Sequence, residues 1–455
     1  MNSVLISTYE LGHQPFGLAS PAAWLRRAGA EVTCLDLSCQ EFDETAIRSA
    51  ELIAIYLPMH TATRMAVQLL PVIRRLNPRA HLCCYGLYAP VNETLLRKSG
   101  VQTILGGEFE EGLVATLERL SGRGEPSPAG APPAISLARQ TFLTPDRETL
   151  PPLNRYAKLI SPDGAGQVAG YTEASRGCKH LCRHCPIVPV YNGRFRIVQP
   201  EVVLSDIRQQ VARGASHITF GDPDFFNGIQ HAIRIITALH AEHPSVTYDA
   251  TIKVEHLLKH QEYLSVLRET GCIFVTTAVE SLDNEVLRRL DKGHTNEDFV
   301  RALELCRQAG LGLSPTFVAF TPWTTLESYC AFLTGLQQLD LVSNVAPIQL
   351  AIRLLIPAGS RLLELEEISR IVGSFDESAL VYPWSNHDPQ VDDFCTNAQD
   401  IIRLSEKQKA SRRQIFYRVA RMAYEAAGIT PPGPLESADR LDRAAIPYLT
   451  EPWYC

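Results

Sequence analysis

Residues 173–187 read EASRGCKHLCRHCPI, and this stretch decides the fold. Cys178, Cys182 and Cys185 stand in it with the spacing C-x3-C-x2-C. The loop offers three thiolates to a metal centre and no obvious fourth. A [4Fe-4S] cluster normally takes four thiolates, so a three-thiolate loop leaves one iron free for another ligand. An open iron separates a catalyst from an electron carrier. Zinc is the competing occupant, because His180 and His184 lie inside the loop and offer a fourth donor. Zinc sites, however, usually come as two separated C-x2-C pairs, and here a single triplet follows a strand.

Around this loop the chain has the make-up of an ordinary globular protein. Its 455 residues suffice for about three domains. Apolar residues make up 45% and charged residues 20%. The 43 basic residues are outnumbered by 50 acidic ones, for a net charge of −7. That balance argues against nucleic acid or a membrane surface as the main partner. No apolar run is long enough to span a bilayer. The opening MNSVLISTYELG lacks the basic and apolar regions of a secretion signal, and VLIST reads as a first strand. The 12 cysteines are mostly scattered through apolar runs, as at Cys272 and Cys306, and read as buried small hydrophobes. With no leader the expected compartment is reducing cytoplasm, where a disulfide framework is not expected.

Two alternations of strand and helix flank a Pro/Gly-rich stretch. Over 1–120, apolar runs at 4–7, 31–37, 52–57, 81–85 and 101–105 read as strands, with amphipathic helices between them. This predicts a doubly wound, Rossmann-like parallel sheet. Residues 121–155 read as a linker draped on the surface. Over 156–360, strands are expected at 172–174, 217–220, 247–252, 273–279, 313–319 and 348–355. Helices are expected at 201–213, 229–240, 262–270, 297–309 and 325–339. Six βα units are too few for a closed eight-stranded barrel. The fold class is therefore α/β, a Rossmann-like sheet followed by a partial (β/α)6 TIM-type barrel. Residues 361–455 form a helical extension in which the strands stop. One helix is expected over 405–427, with a solvated basic face of Lys407, Lys409, Arg412, Arg413, Arg418 and Arg421.

The triplet after a strand, opening a βα series, resembles the radical S-adenosylmethionine (radical SAM) superfamily. The resemblance covers about residues 170–360, and further segments match it in order: HITFGDPDFF, TIKVEHL, TTAVESLDNEVLRRLDKGHT and FTPWTTLES. It implies that Cys178, Cys182 and Cys185 bind a [4Fe-4S] cluster. It also implies that S-adenosylmethionine meets Gly221 and Asp222 with its amino group, Lys253 with its carboxylate, and Glu280 and Ser281 near the ribose. His184 takes the place of the family's usual aromatic residue near adenine. Residues 1–120 resemble the cobalamin-binding domain found ahead of many such barrels, on FGLASPAAWLRRAGAEVTCLDL, ELIAIYLPMHTATRMA, HLCCYGLYAP and ILGGEFEEGL. That implies a nucleotide tail running past Thr61, Gly86, Gly106 and Gly107, where glycine lets a ligand approach the backbone. The D-x-H-x-x-G motif of cobalt-ligating relatives is missing, and His13 in YELGHQPFG is out of its register.

The closing IPYLTEPWYC resembles a radical SAM group with a Cys-Cys-Ala-Glu-Pro or Cys-selenocysteine-Ala-Glu-Pro tail. The expectation is that coding continues through selenocysteine beyond Cys455. The Cys455 thiol is then expected to reach into the open barrel as a catalytic or substrate-binding group. The expected function is reductive cleavage of S-adenosylmethionine to a carbon radical, with cobalamin-dependent methyl transfer to an unreactive carbon or phosphorus as the leading outcome. An electron donor such as flavodoxin or ferredoxin is the implied partner. The alternatives are an electron-transfer or sensor protein and a zinc-stabilised binding module.

Overall fold

The computed structural model describes residues 1–123, 134–433 and 446–450, so Cys455 and its tail lie outside the described residues. Two curved sheets organise the chain. The first holds β1 (Asn2–Ser7), β2 (Glu31–Asp36), β3 (Leu52–Tyr56), β4 (His81–Tyr85), β5 (Thr103–Gly107) and β6 (Ile135–Ser136), in the order β2-β1-β3-β4-β5-β6. Every pair in it is parallel. β3 is buried along its whole length, as expected of a strand covered by helices on both faces. Helix Phe16–Arg27 packs on one face and helix His60–Leu76 on the other.

The second sheet holds β7 (Lys158–Ile160), β8 (Gly166–Thr172), β11 (His217–Phe220), β12 (Thr247–Thr251), β13 (Cys272–Glu280), β14 (Gly312–Phe317) and β15 (Tyr448–Leu449). Its order is β14-β13-β12-β11-β8-β7-β15. The five strands β8 and β11 to β14 are parallel, while β7 and β15 are antiparallel additions at one edge. A separate hairpin of β9 (Ser175–Gly177) and β10 (Phe195–Ile197) brackets the cysteine loop. Alternate residues of the five strands face two ways. Ile218, Tyr248, Val275 and Leu313 pack into the helical shell. The intervening residues face a lumen on the concave side. This is the α/β architecture expected from the sequence.

Five expectations are corrected. Residues 348–355 are not a strand: Pro347–Leu350 coil into a 3-10 turn, and the sixth unit shrinks to one parallel bridge between Phe320 and Arg353. The edge of β14 is satisfied by side chains instead, with Phe317 N donating to Gln349 and Asn344 donating to Leu313 O. The helix expected over 405–427 is two helices, Pro389–Lys407 and Arg412–Ala427. Lys409 between them is left-handed (φ 56°), and Ser411 with Gln414 closes a capping box on the second helix. Its basic face is also not simply solvated. Arg412 donates to the carbonyls of Ser343 and Asn344 and lies over the Tyr448 ring, and Arg418 donates to Ser405. Strands do not stop at residue 360, since β15 pairs with β7. Finally, the described part of the 121–155 stretch is not merely draped on the surface. Arg147 within it is fully buried, bidentate to Asp206 at 2.6 and 2.9 Å, and bonded to Gln14 and to Tyr171 O.

Gln14 belongs to the first sheet's β1 loop and Tyr171 to β8, so Arg147 ties the two sheets together. Breaking a buried pair leaves an uncompensated charge. Arg147→Ala should cost about 3–5 kcal/mol. The expected result is a lower unfolding midpoint with Asp206→Asn non-additive to it, read by chemical denaturation.

Candidate metal and S-adenosylmethionine site

The cysteine loop leaves β9 at Gly177, whose φ of 76° is left-handed. A Cβ there would meet the Tyr191 ring at 2.4 Å and Arg194 O at 2.5 Å, so only glycine allows this exit. Asn227 holds the loop from one side, accepting from Lys179 N and donating to Gly177 O. From the other side Arg183 N donates to Leu290 O at 2.9 Å. Cys178 and Cys182 are buried and Cys185 is partly so. Burial pushes the Cys178 thiol up and the Cys185 thiol up to about 12, and the neighbouring thiols oppose Cys185 ionisation further. Thiols held this way ionise readily only when a metal takes them, which fits Cys178 and Cys185 as ligands.

Two buried ammonium groups stand beside the thiols. Lys253 Nζ lies 3.8 Å from Cys182 Sγ and donates to Lys292 O at 2.9 Å. Lys292 Nζ lies 3.3 Å from Glu280. Burial works against the Lys292 charge, but Glu280, Cys182 and Cys185 hold it above the usual lysine range. Glu280 sits where β13 breaks register with β14, in the left-handed region at φ 72°. For a non-glycine residue at a strand end this is stored strain, and it re-aims the carboxylate. Glu280 also holds His184 Nε2 at 3.1 Å. Burial alone would raise the Glu280 pKa, yet Lys292 and His184 bring it down to about 2.

The other predicted positions divide. Asp222 is buried, and its two oxygens accept from Ala174 N at 2.9 Å and Ser175 Oγ at 2.5 Å. It clamps the chain entering the cysteine loop, and burial pushes it up to about 7 despite those bonds. Gly221 packs under the Tyr171 hydroxyl, which would lie 2.0 Å from a Cβ. Ser281 lines a cavity of about 400 Å³ with Glu280, Asn296, Thr321 and Tyr329. The two loop histidines do not complete a zinc set with the thiols: His180 faces Asp224 and Glu255, and His184 faces Glu280. Cys178, His180 and Asp224 do place donor atoms within 4.8 Å of one another, but that trio omits two of the three thiols.

At the first sheet, Gly86 and Gly107 are left-handed at strand ends, and Thr61 is in the first turn of helix His60–Leu76. The close approach that these glycines permit is made by the protein itself. A Cβ would meet Leu57 O at Gly86, Pro90 at Gly106 and Ser136 O at Gly107. At all three a side chain would therefore clash with the chain's own atoms. Unsatisfied bonding capacity at the carboxyl end of β1 lies elsewhere, at the buried Ser7 Oγ and Glu10 Oε2. Glu10 faces Glu173, Arg147 and Arg176 across the sheet boundary, and burial with Glu173 holds its pKa well above the usual range.

Three residues escape sequence reasoning. Lys292 and His294 lie within a segment already quoted for its glutamate, with no local signal to single them out. Both His294 nitrogens are buried without a hydrogen-bond partner. Arg176, two positions before Cys178, bonds Glu110 at 2.7 Å and Glu173 at 2.7 Å and lies 3.5 Å from Glu108.

A parallel half-barrel whose first parallel strand, β8, is followed by a hairpin that carries a three-cysteine loop defines a class. Residues 172–324 match the Radical SAM superfamily, and the chain carries a radical SAM domain. Among individual proteins, hopanoid C-3 methylase of Methylococcus capsulatus is 24% identical over 326 residues, covering 68% of this chain and 62% of the relative. A tRNA-2-methylthio-N(6)-dimethylallyladenosine synthase of Desulfosudis oleivorans is 27% identical over 197 residues, 41% of this chain and 40% of that protein. The chain thus spans less than two thirds of these relatives. In fold it is similar to the cobalamin-dependent S-adenosylmethionine radical enzyme OxsB (TM-score 0.69, 14% identity, 89% of this chain and 67% of that one). It is also similar to the radical S-adenosylmethionine methyltransferase TsrM from Kitasatospora setae (TM-score 0.59, 19% identity, 75% and 72%). Among the described residues no helix is long and apolar enough to cross a membrane.

The Glu280 linkage has a definite sign. A folded pKa of about 2 against an ordinary 4.5 means that the unfolded chain binds the proton more tightly. The stability it supplies is complete above about pH 4.5 and is lost as pH falls toward about 2. In the metal-free protein, Glu280→Gln should flatten the acid limb of the stability–pH curve in that window, measured by denaturant titration at stepped pH.

Proposed function

We propose that this protein is a radical SAM enzyme. The observation that carries the reading is the convergence of two buried thiols and one partly buried thiol with the ammonium groups of Lys253 and Lys292. Three thiolates with compensating positive charge suit a [4Fe-4S] cluster, and the protein supplies no fourth thiolate in the loop. Such a cluster, reduced by a donor such as flavodoxin or ferredoxin, supplies the electron that cleaves a carbon–sulfur bond of S-adenosylmethionine and yields a carbon radical.

The chain's own residues orient that cosubstrate. Lys253, fixed by Lys292 O, would meet the methionine carboxylate. Asp222 acts through position rather than contact, because both its oxygens already hold the strand that enters the loop. Glu280 and Ser281, which line the 400 Å³ cavity, would face the ribose, and the cavity's size suits a nucleoside. Glu280 also fixes the His184 ring, which serves as the planar neighbour of adenine.

The finer reading is methyl transfer to an unreactive carbon or phosphorus with cobalamin held between the sheets. It is supported by the similarity in fold to OxsB and TsrM and by the similarity to a methylase. Ser7 and Glu10, with their unpartnered oxygens, are residues of this chain that would meet the cobalamin, beside the strand-end residues Thr61, Gly86, Gly106 and Gly107.

Anaerobic reconstitution tests both levels. Wild-type protein should bind about four irons per chain and cleave S-adenosylmethionine under dithionite, and Cys178→Ala, Cys182→Ala or Cys185→Ala should abolish both. Lys253→Met should keep the iron and raise KM for S-adenosylmethionine about tenfold to a hundredfold. Colourless protein carrying zinc would overturn the reading. Titration with hydroxocobalamin should quench tryptophan fluorescence in the wild type and be weakened in Glu10→Ala. An unchanged signal removes the methyl-transfer branch.

A further inference from the structure

The lumen of the half-barrel has a chemistry of its own. Strand register stacks its side chains in layers. The lower layer runs Tyr171, Thr219, Asp249, Phe274 and Gly312 across adjacent strands. Above it Thr251, Thr276 and Ser314 are in register, followed by Ala278 beside Thr316. Thr251, Thr276, Ser314 and Thr316 are only partly buried, whereas their neighbours Ala250, Val275, Leu313 and Phe317 are sealed against the helices. β14 shows the contrast as a strict alternation. The five parallel strands contain no lysine or arginine, and their only acids are Asp249 and Glu280.

Asp249 is held rigidly. Its Oδ1 accepts from Thr219 Oγ1 at 2.7 Å and lies 2.8 Å from His217 Nε2, and His217 Nδ1 is in turn 2.8 Å from Thr247 Oγ1. Both bonds fall on one oxygen, so Oδ2 remains as the acceptor of this carboxylate. One side of this layer is apolar: Phe274 stacks on His217, and Ile446 lies against Gly312. The first sheet supplies a wall, since His13 from the loop after β1 stacks on Tyr171 at 4.6 Å.

We infer that this lumen is the substrate chamber and that it takes a small polar substrate bearing a cationic amine, which Asp249 Oδ2 binds while the threonine and serine hydroxyls meet its polar frame. The inference rests on the radical SAM reading for the reaction, and deepens it by naming the substrate class. A hydrocarbon skeleton such as a hopanoid is a poor occupant. It would strip water from a row of hydroxyls and a carboxylate and return no hydrogen bonds. A cation is drawn to Asp249 because the strands that line the cleft carry no lysine or arginine.

The test reads the lumen without needing the natural substrate. In cluster-loaded full-length protein, Thr316→Cys is exposed to three methanethiosulfonates, carrying trimethylammonium, sulfonate or benzyl, and labelling at residue 316 is followed by peptide mass spectrometry. The cationic reagent should react about tenfold faster than the anionic one, and Asp249→Asn should bring the two rates together. The outward-facing control Thr277→Cys should stay unlabelled. Thr276→Cys replaces Thr316→Cys should that variant fail to fold. Equal rates for the charged reagents, fastest labelling by the benzyl reagent, or no labelling at all would overturn the inference. Iron content and S-adenosylmethionine cleavage on the same samples separate this failure from failure of the radical SAM reading.

Discussion

Arg176 stands two residues before the first cysteine of the loop, and its guanidinium is anchored on both sides of the sheet boundary. Glu108 and Glu110 reach it from the end of β5 and the helix that follows, and Glu173 reaches it from the strand side of the cysteine loop. The rings of Phe16, Phe109 and Phe142 lie within 5.5 Å of the same group. A planar cation with five donors suits this crowd, and lysine could not replace it. Burial opposes its charge, but the surrounding carboxylates raise its pKa well above the usual range, so the cation is permanent. The cysteine loop is thereby referenced to the first sheet as much as to its own barrel. Arg147 repeats the device one strand away, spanning from Gln14 to Asp206.

This double anchoring explains why the loop can tolerate strain nearby. Glu280 is held left-handed at a register break, a conformation that costs about 1–3 kcal/mol. It persists because Lys292 and His184 both bond its carboxylate. The cost is spent on aim: the same carboxylate neutralises a buried lysine, fixes a ring beside the thiols and borders the cavity. The barrel behind it divides the work by strand parity. One set of alternate residues builds the helical core, and the other builds a polar chamber with Phe274 and Ile446 on one side.

Much of the site was legible because its chemistry is local. The spacing of Cys178, Cys182 and Cys185 lies within eight residues, and strand β13 announces itself by the apolar run Cys-Ile-Phe-Val. The sixth strand was misread because Ile348, Leu350 and Leu354 carry the right apolarity, while Gln349 and Asn344 had already satisfied the neighbouring edge through side chains. The long basic helix was misread because a break at Lys409 leaves no proline or glycine in the sequence. Arg147 hid in a proline-rich stretch, where composition argues for exposure and a distant aspartate decides otherwise.

The sequence by itself determined the donor set, the parallel α/β class and the order of the segments around the loop, because each depends on residue type and short-range periodicity. Tertiary structure alone decided which charges share the buried space beside the thiols. Lys292 joins Lys253 there, and Asp222 turns away to serve the backbone. It also decided that Gly86, Gly106 and Gly107 receive the protein's own chain, and that Asp249 faces a lumen. Those outcomes depend on register and on contacts between residues far apart in the chain. A one-residue change of register moves every side chain of a strand to the opposite face, and no local pattern carries that information.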